Sequence, residues 1–384
     1  LVATFDAAGI GPAPVNVFTY HTRVDADYQP IETFDIKGLD HRKFDYDYIL
    51  AYFSHAAAGL FPGANVILVT DATSPVPTVH RFTHVVRLAV DKDEPMYQRV
   101  RAMAAYVNSS ALSANPRATT LFLDSDAFVG NDFREVLAGD FDIATTFRPD
   151  PAMVLNEGVQ AASHRRPEKV RAFYNGYLAT YEHLAEDPDV QSRYPHGIKK
   201  WRGGQLSLNS VGWDGAYPEA GEIRELDGTR MLYLPCADYN HKPGPSDGLR
   251  DLLAKQVVHF KGTAKEFDFL RRYTMERNLP GWPLADLLLA AGLDEPTPEA
   301  LVEAWSRLLG ERHYAAARNL CLSILERQPD SGLAHALLAL LHFRIEGNWD
   351  SARERGHQAL AAGHLPENVR AEIERMLKTT GTPP

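Results

Sequence analysis

The stretch Thr119-Thr120-Leu121-Phe122-Leu123-Asp124-Ser125-Asp126-Ala127-Phe128-Val129 decides how this chain is read. Its β-branched and aromatic residues predict a buried strand, and two carboxylates flanking one small residue interrupt the apolar run. Alternate side chains of an extended segment point the same way, so Asp124 and Asp126 can enter one crevice at the strand end. Open α/β sheets bind ligands in such crevices. Burying two acids is costly unless a cation faces them, and hard oxygen ligands suit Mn²⁺ or Mg²⁺ carrying a diphosphate. Solvated strand-end acids are the competing reading. The Asp-x-Asp pattern alone settles nothing, because it recurs at Asp25/Asp27, Asp45/Asp47, Asp91/Asp93, Asp140/Asp142 and Asp187/Asp189. Only at Asp124/Asp126 is it both preceded by an apolar strand and followed at once by apolar residues.

Towards the N-terminus, Val15–Tyr20 reads as the first core strand, Asp45–Gly59 as a covering helix, and Asn65–Asp71 as a second strand. Val85–Val90 is a short third strand and Met96–Val107 a helix. This alternation predicts an α/β fold with a mostly parallel, doubly wound sheet, and puts the acidic pair at its C-terminal edge. Thr70 and Asp71, at the polar end of the second strand, are placed to touch a base or ribose; a strand-terminating turn explains them equally well. Arg99 and Arg101 lie two apart on one helix and cannot both face the crevice. One of the two arginines is expected to hold a phosphate or sugar hydroxyl and the other to lie on solvated surface; Arg101, with Ser125, is the cofactor-binding choice.

Towards the C-terminus, Asp140–Phe147 and Ala152–Val159 read as strands, the latter interrupted by Asn156 and Gly158; glycine in such a run marks close approach of another group. Pro167–Glu186 is an amphipathic helix, and residues 186–201 are a candidate lid. Trp201–Asn209 sets polar groups beside Gly203 and Gly204. Gln256-Val257-Val258-His259-Phe260-Lys261-Gly262-Thr263-Ala264-Lys265 is a strand running into a turn. Imidazole suits a divalent metal, glycine admits a phosphate close to the backbone, and a lysine three residues on supplies a compact charge. A lone strand-end histidine is commonly structural; the spacing to Gly262 and Lys265 favours a ligand here.

From about Pro296 the composition turns to Ala- and Leu-rich helix: Glu299–Leu309, Tyr314–Arg327, Gly332–Arg344, Ser351–Ala361 and Glu367–Leu377. Tyr314-Ala-Ala-Ala-Arg318 and Trp349-Asp-Ser-Ala-Arg353 recur about 35 residues apart, near the tetratricopeptide period. Two such units give little groove, so capping, homodimer formation or a protein partner is expected of them. The domains expected are a lead-in at 1–14 without stable structure, an α/β domain at 15–280 and a helical domain at 296–384. A formal charge of −10 with no local Lys/Arg run excludes a nucleic-acid or anionic-membrane partner. No apolar run is long enough to span a bilayer. Cys236 and Cys321, the two cysteines, fall in different expected domains, which points to a reducing cytoplasm.

Taken together these pieces resemble nucleotide-sugar glycosyltransferases of the GT-A fold, in particular the retaining family 8 type that includes glycogenin and bacterial galactosyltransferases. Leu121–Val129 looks like that family's Asp-x-Asp strand, Val257–Lys265 like its late His-x-x-Gly-x-x-Lys element, and Val66–Thr70 like its nucleotide-contacting strand. Asn156-Glu157-Gly158-Val159 is similar to Asn-Ser-Gly-Val, and Gly203-Gly204-Gln205-Leu206-Ser207-Leu208-Asn209 to Gly-Asp-Gln-x-x-Leu-Asn. All five occur in the family's order. The resemblance implies Asp124, Asp126 and His259 on Mn²⁺, Gly262 and Lys265 on the diphosphate of a UDP-sugar, and Asn156 and Gln205 on the transferred sugar or a glycan or protein acceptor. Gly204 departs from the pattern, since it stands where the family has aspartate. A sugar-phosphate nucleotidyltransferase is the rival enzyme, opposed by the absence of glycine between Val15 and Arg23; an inert scaffold using the helical repeats is the rival from another class.

Overall fold

The computed structural model describes residues 1–23, 45–194, 197–200, 202–244, 246–261, 267–293 and 295–380. Asp25/Asp27, Trp201, Gly262 and Lys265 lie outside them. The chain divides into two compact units, Leu1–Pro77 with Arg81–Leu270, and Thr78–His80 with Arg271–Pro384.

Among its described residues the first unit contains ten strands: β1 (Val15–Tyr20), β2 (Asn65–Asp71), β3 (His84–Leu88), β4 (Thr119–Asp124), β5 (Ala127–Val129), β6 (Ile143–Phe147), β7 (Leu155–Ser163), β8 (Ile223–Leu226), β9 (Thr229–Pro235) and β10 (Val257–His259). Eight of them form one sheet in the order β3-β2-β1-β4-β7-β6-β9-β8, and β10 pairs with β5. The β2–β3, β1–β2, β1–β4 and β6–β9 pairings are parallel, while β7 runs antiparallel to both neighbours and β8 to β9. This is the mostly parallel, helix-flanked sheet expected from the alternation. Every residue of β1 and β7 is buried, as covering a sheet on both faces requires.

One face is covered by the helices Pro95–Asn108 and Pro167–Glu186, each with proline in its first turn, where the missing N–H costs nothing. Phe18, Phe122, Tyr106 and Tyr174 interlock there, with Phe18–Phe122 and Phe122–Tyr174 centroids both 5.1 Å apart and Phe18–Tyr106 5.3 Å. Burying each such ring contributes about 1.5–3 kcal/mol. The helix Tyr46–Leu60 starts at Asp45, whose side chain accepts the Tyr48 N–H at 2.9 Å. It packs against the small sheet, where Tyr52 meets Phe128 edge-on at 4.9 Å and Phe128 meets Phe260 at 5.4 Å.

The lead-in expected to lack stable structure is corrected: Val2–Ala7 is helical, and Phe5 is buried against Phe18 and Tyr106. Its single large aromatic anchors a segment too short for pattern reading. Gly203–Gly212, where only polar groups beside glycines were noted, is a helix.

The second unit is helical: most of Phe267–Arg277, then Trp282–Ala291, Pro298–Gly310, Tyr314–Arg327, Gly332–Leu341, Trp349–Ala362 and Glu367–Thr380. Tyr314 and Trp349 both open helices, and Ala317 and Ala352, three residues on in each, are fully buried. The two copies of the sequence pattern therefore occupy equivalent helical positions. No helix among the described residues is long and apolar enough to cross a membrane, and both cysteines are free thiols.

Candidate metal and donor site

β4 ends at Asp124, the chain turns through Ser125 and Asp126, and β5 leads away beside β10, so that His259 lies opposite Ala127. The Phe260 N–H donates to the Asp126 carbonyl at 2.9 Å and pins this crossing. As a result Asp124, Asp126 and His259 each bring one ligand atom to within 4.8 Å of the others. The His259 Nε2 lies 3.0 Å from Asp126 Oδ1 and 3.4 Å from Asp124 Oδ2, with the imidazole 1% exposed.

The protonation of that imidazole follows from its neighbours. The Gly158 N–H, an unambiguous donor, reaches Asn156 Oδ1 at 3.0 Å. That oxygen also takes the Asn240 Nδ2 at 2.8 Å, and the same amide nitrogen donates to Thr146 Oγ1 at 3.0 Å. The atom Asn240 presents to His259 Nδ1, at 2.7 Å, is therefore its oxygen, and Nδ1 must carry the proton. Burial, aided by the Lys261 charge, lowers the His259 pKa against the pull of Asp126 and Asp124, which disfavours a second proton on the ring. Nε2 and the two carboxylates form a set of three donors that a cation could bridge. Two hard carboxylate oxygens and one imidazole nitrogen fit a divalent ion of the Mn²⁺ or Mg²⁺ type, and Asn240 is the outer partner that such a histidine ligand requires.

Charge balance points the same way. Arg99, 3% exposed, lies 3.0 Å from Asp124 Oδ1 and 3.4 Å from Glu157 Oε2, and donates to the Glu157 carbonyl at 2.8 Å. Burial works against the guanidinium, and Asp124 and Glu157 outweigh it and raise its pKa. Burial pushes the Glu157 carboxyl up, opposed by Arg99, and its Oε2 accepts the Tyr177 hydroxyl at 3.2 Å. Asp124, Asp126 and Glu157 together outnumber the one buried arginine.

A break in strand register brings Glu157 and Gly158 here. Thr146 of β6 pairs with Asn156, whereas Thr145 pairs with Gln160, so residues 157–159 have no register partner on β6. Such irregularities re-aim side chains beside sites. A Cβ on Gly158 would lie 2.6 Å from His259 Cε1 and 3.0 Å from Asp124 Oδ2. The close approach expected of this glycine is to two members of the candidate ligand trio.

The other sequence-assigned residues are distributed as follows. The Ser125 hydroxyl is 3.4 Å from His21 Nδ1. Gln205 donates to the Leu155 carbonyl at 3.0 Å from the first turn of its helix. Asn156 belongs to the chain of amides behind His259. The arginine that reaches the acids is Arg99; Arg101 bonds Gln98 at 2.9 Å and lies over the Tyr97 ring. The Thr70 hydroxyl is buried without a hydrogen-bond partner among the described residues. The Asp71 Oδ1 accepts the Thr73 N–H at 2.7 Å and the Ser74 N–H at 2.9 Å and pairs with Lys92 at 3.2 Å, so the strand-terminating turn is the reading its geometry favours. Residue-by-residue reading weighed Arg99 but chose Arg101, and it missed Asn240 and Lys261 as site members; Arg99 and Asn240 act through partners distant in sequence. Glu157 carried a signal, a carboxylate inside a buried strand.

A mostly parallel, helix-flanked sheet with the acidic pair at the end of β4 is the arrangement the resemblance implied, and the antiparallel β7 beside β4 is a feature the sequence reading did not contain. No family model matches the chain, and no characterised protein matches it by sequence. Among solved structures it is similar to a glycosyltransferase involved in glycosylation of the major capsid of PBCV-1, at 11% identity over 69% of this chain and 98% of that one, with a TM-score of 0.36. It is similar to the glycosyltransferase GlyE of Streptococcus pneumoniae TIGR4, at 13% identity over 73% of this chain and 64% of that one, TM-score 0.38. The galactosyltransferase LgtC, solved with donor and acceptor sugar analogs, is a third, at 11% identity over 74% and 98%, TM-score 0.36. At such identities and scores, the chemistry of this site has to be argued from its own residues.

Proposed function

We propose that the protein is a divalent-metal-dependent glycosyltransferase that moves a sugar from a nucleoside diphosphate donor, a UDP-sugar, to a hydroxyl of a glycan or protein, with retention of configuration. The observation that carries this reading is the His259 Nε2 standing 3.0 Å from Asp126 and 3.4 Å from Asp124 at the C-terminal end of the parallel strands. A divalent cation held by those three groups would supply charge neutralisation for the departing diphosphate. Arg99 holds Asp124 in place, Asn240 holds the imidazole in the ligating tautomer, and Lys261 adds positive charge beside the cluster. Gly262 and Lys265 are assigned to the diphosphate and Gln205 to the sugar on the strength of the sequence pattern. With the ligand trio committed to the cation, the leaving phosphate takes the acceptor proton in a front-face displacement. The C-terminal helices, read as a tetratricopeptide-like pair, serve self-association.

Calorimetric titration with UDP tests the central claim: binding is expected with Mn²⁺ and not after chelation, and equal binding in both overturns it. Proton NMR of the product formed from a panel of UDP-sugars reads the anomer, and inversion removes the retaining assignment. Light scattering on the full chain reads the mass, and a monomer removes the self-association role.

A further inference from the structure

Glu157 and Gly204 come from separate parts of the sequence and meet in the fold. A Cβ built on Gly204 would lie 1.9 Å from Glu157 Oε2 and 2.9 Å from its carboxyl carbon, closer than any side chain can stand. The carboxylate therefore fills the volume that a side chain at 204 would take. Both are places where the chain departs from the pattern it resembles: glutamate replaces the serine of Asn-Ser-Gly-Val, and glycine replaces the aspartate of Gly-Asp-Gln. One carboxylate is gained on β7 where another is lost from the first turn of the Gly203–Gly212 helix, and the two positions touch.

The consequences run to the ligand trio. The side chain of Glu157 keeps 12% of its surface, and its Oε2 is shared between Arg99 at 3.4 Å and the Tyr177 hydroxyl at 3.2 Å. Arg99 spans from there to Asp124 Oδ1, 3.0 Å away, with only 4% of its own side chain exposed. A guanidinium so enclosed has few alternative rotamers, and its approach to Asp124 is bounded by Glu157, whose carbonyl accepts from the same nitrogen at 2.8 Å and whose carboxylate faces the other nitrogen at 3.4 Å. We infer that Glu157 is a positioning residue that holds Arg99 against the metal ligand Asp124, and that Gly204 is glycine because Glu157 occupies its side-chain space. This rests on the proposed metal site, and on that reading the pair replaces an aspartate at 204 by a glutamate reaching the same volume from the neighbouring strand.

The experiment is Mn²⁺-dependent UDP binding by calorimetry on the full chain, combined with thermal melting without metal. Wild type is measured first; metal-independent UDP binding there removes the metal reading itself. Given metal-dependent binding, Glu157→Ser and Gly204→Ala are each expected to weaken it by about 10–100-fold, the range for outer-shell changes at metal sites. Glu157→Gln, which keeps the shape and loses the charge, falls between them and wild type. The double variant Glu157→Ser with Gly204→Asp is expected to bind within about threefold of wild type, because a carboxylate returns to the same space. The melting arm needs no metal: Gly204→Ala is expected to lower Tm in the wild-type background and to cost little when Glu157 is already serine. Equal Tm losses from Gly204→Ala in both backgrounds, or single variants that bind UDP and Mn²⁺ as wild type does, overturn the pair while leaving the metal site standing.

Discussion

Asp71 and Asp124 end parallel strands on either side of β1, each after an apolar run, and they have opposite fates. Asp71 is enclosed by its own loop: the Thr73 and Ser74 N–H groups and both hydroxyls donate to it, and Lys92 closes the shell. Burial opposes its charge, yet the Ser74 and Thr73 hydrogen bonds and Lys92 hold its carboxyl well below the usual range. Asp124 receives its partners from elsewhere: Arg99 from a covering helix, and the His259 Nε2 from β10. A carboxylate satisfied by residues two and three positions on finishes a turn. One that, among the described residues, meets an arginine shared with a second acid and a histidine nitrogen belongs to a cluster with the donor set for a cation.

That contrast can be broken most directly at the ligands. Asp126→Asn and Asp124→Asn are expected to reduce Mn²⁺-dependent UDP binding by more than the about 10–100-fold typical of outer-shell changes, whereas Asp71→Asn leaves the Mn²⁺ dependence intact; calorimetry on the three variants reads both halves. Asn240→Leu removes the acceptor that fixes the His259 tautomer and is expected to weaken Mn²⁺ affinity by about 10–100-fold, a loss visible in the same titration. Gly158→Ala forces the His259 ring away from Asp124. An overpacking cost of about 1–3 kcal/mol, measured by urea unfolding, should accompany its weaker metal binding. Smallest is the acid limb of the stability curve. Since the folded Asp71 pKa lies below the unfolded value of about 3.9, its contribution is complete above that pH and is lost as pH falls toward the folded value. Asp71→Asn should therefore remove about 1.5–3 kcal/mol near neutral pH and flatten the decline below about pH 4, as read by unfolding at stepped pH.

The same contrast explains what could be read in advance. β1, β2 and β4, the helices Pro95–Asn108 and Pro167–Glu186, and the C-terminal helices stand where hydrophobic period and proline placement put them, because these signals act within a few residues of themselves. Boundaries shifted at strand ends: Asp140–Phe147 was expected as strand, and the strand runs Ile143–Phe147. Asp142 still joins both neighbours through its backbone, and its side chain is held by the Arg166 guanidinium at 2.7 Å and the Arg230 N–H at 2.9 Å.

By itself the sequence determined a helix-flanked, largely parallel sheet, the acidic pair at the end of its fourth strand, and a late histidine of the right chemistry to join it, since strand alternation and ligand type are local properties. The tertiary structure alone decided that His259 brings Nε2 to both acids, that Arg99 rather than Arg101 reaches them, that Asp71 closes a turn, and that Glu157 fills the space at Gly204. Each of those depends on which distant group stands within about 3 Å, the range at which a hydrogen bond forms and charges interact strongly in a buried setting, and spacing along the chain does not encode that distance.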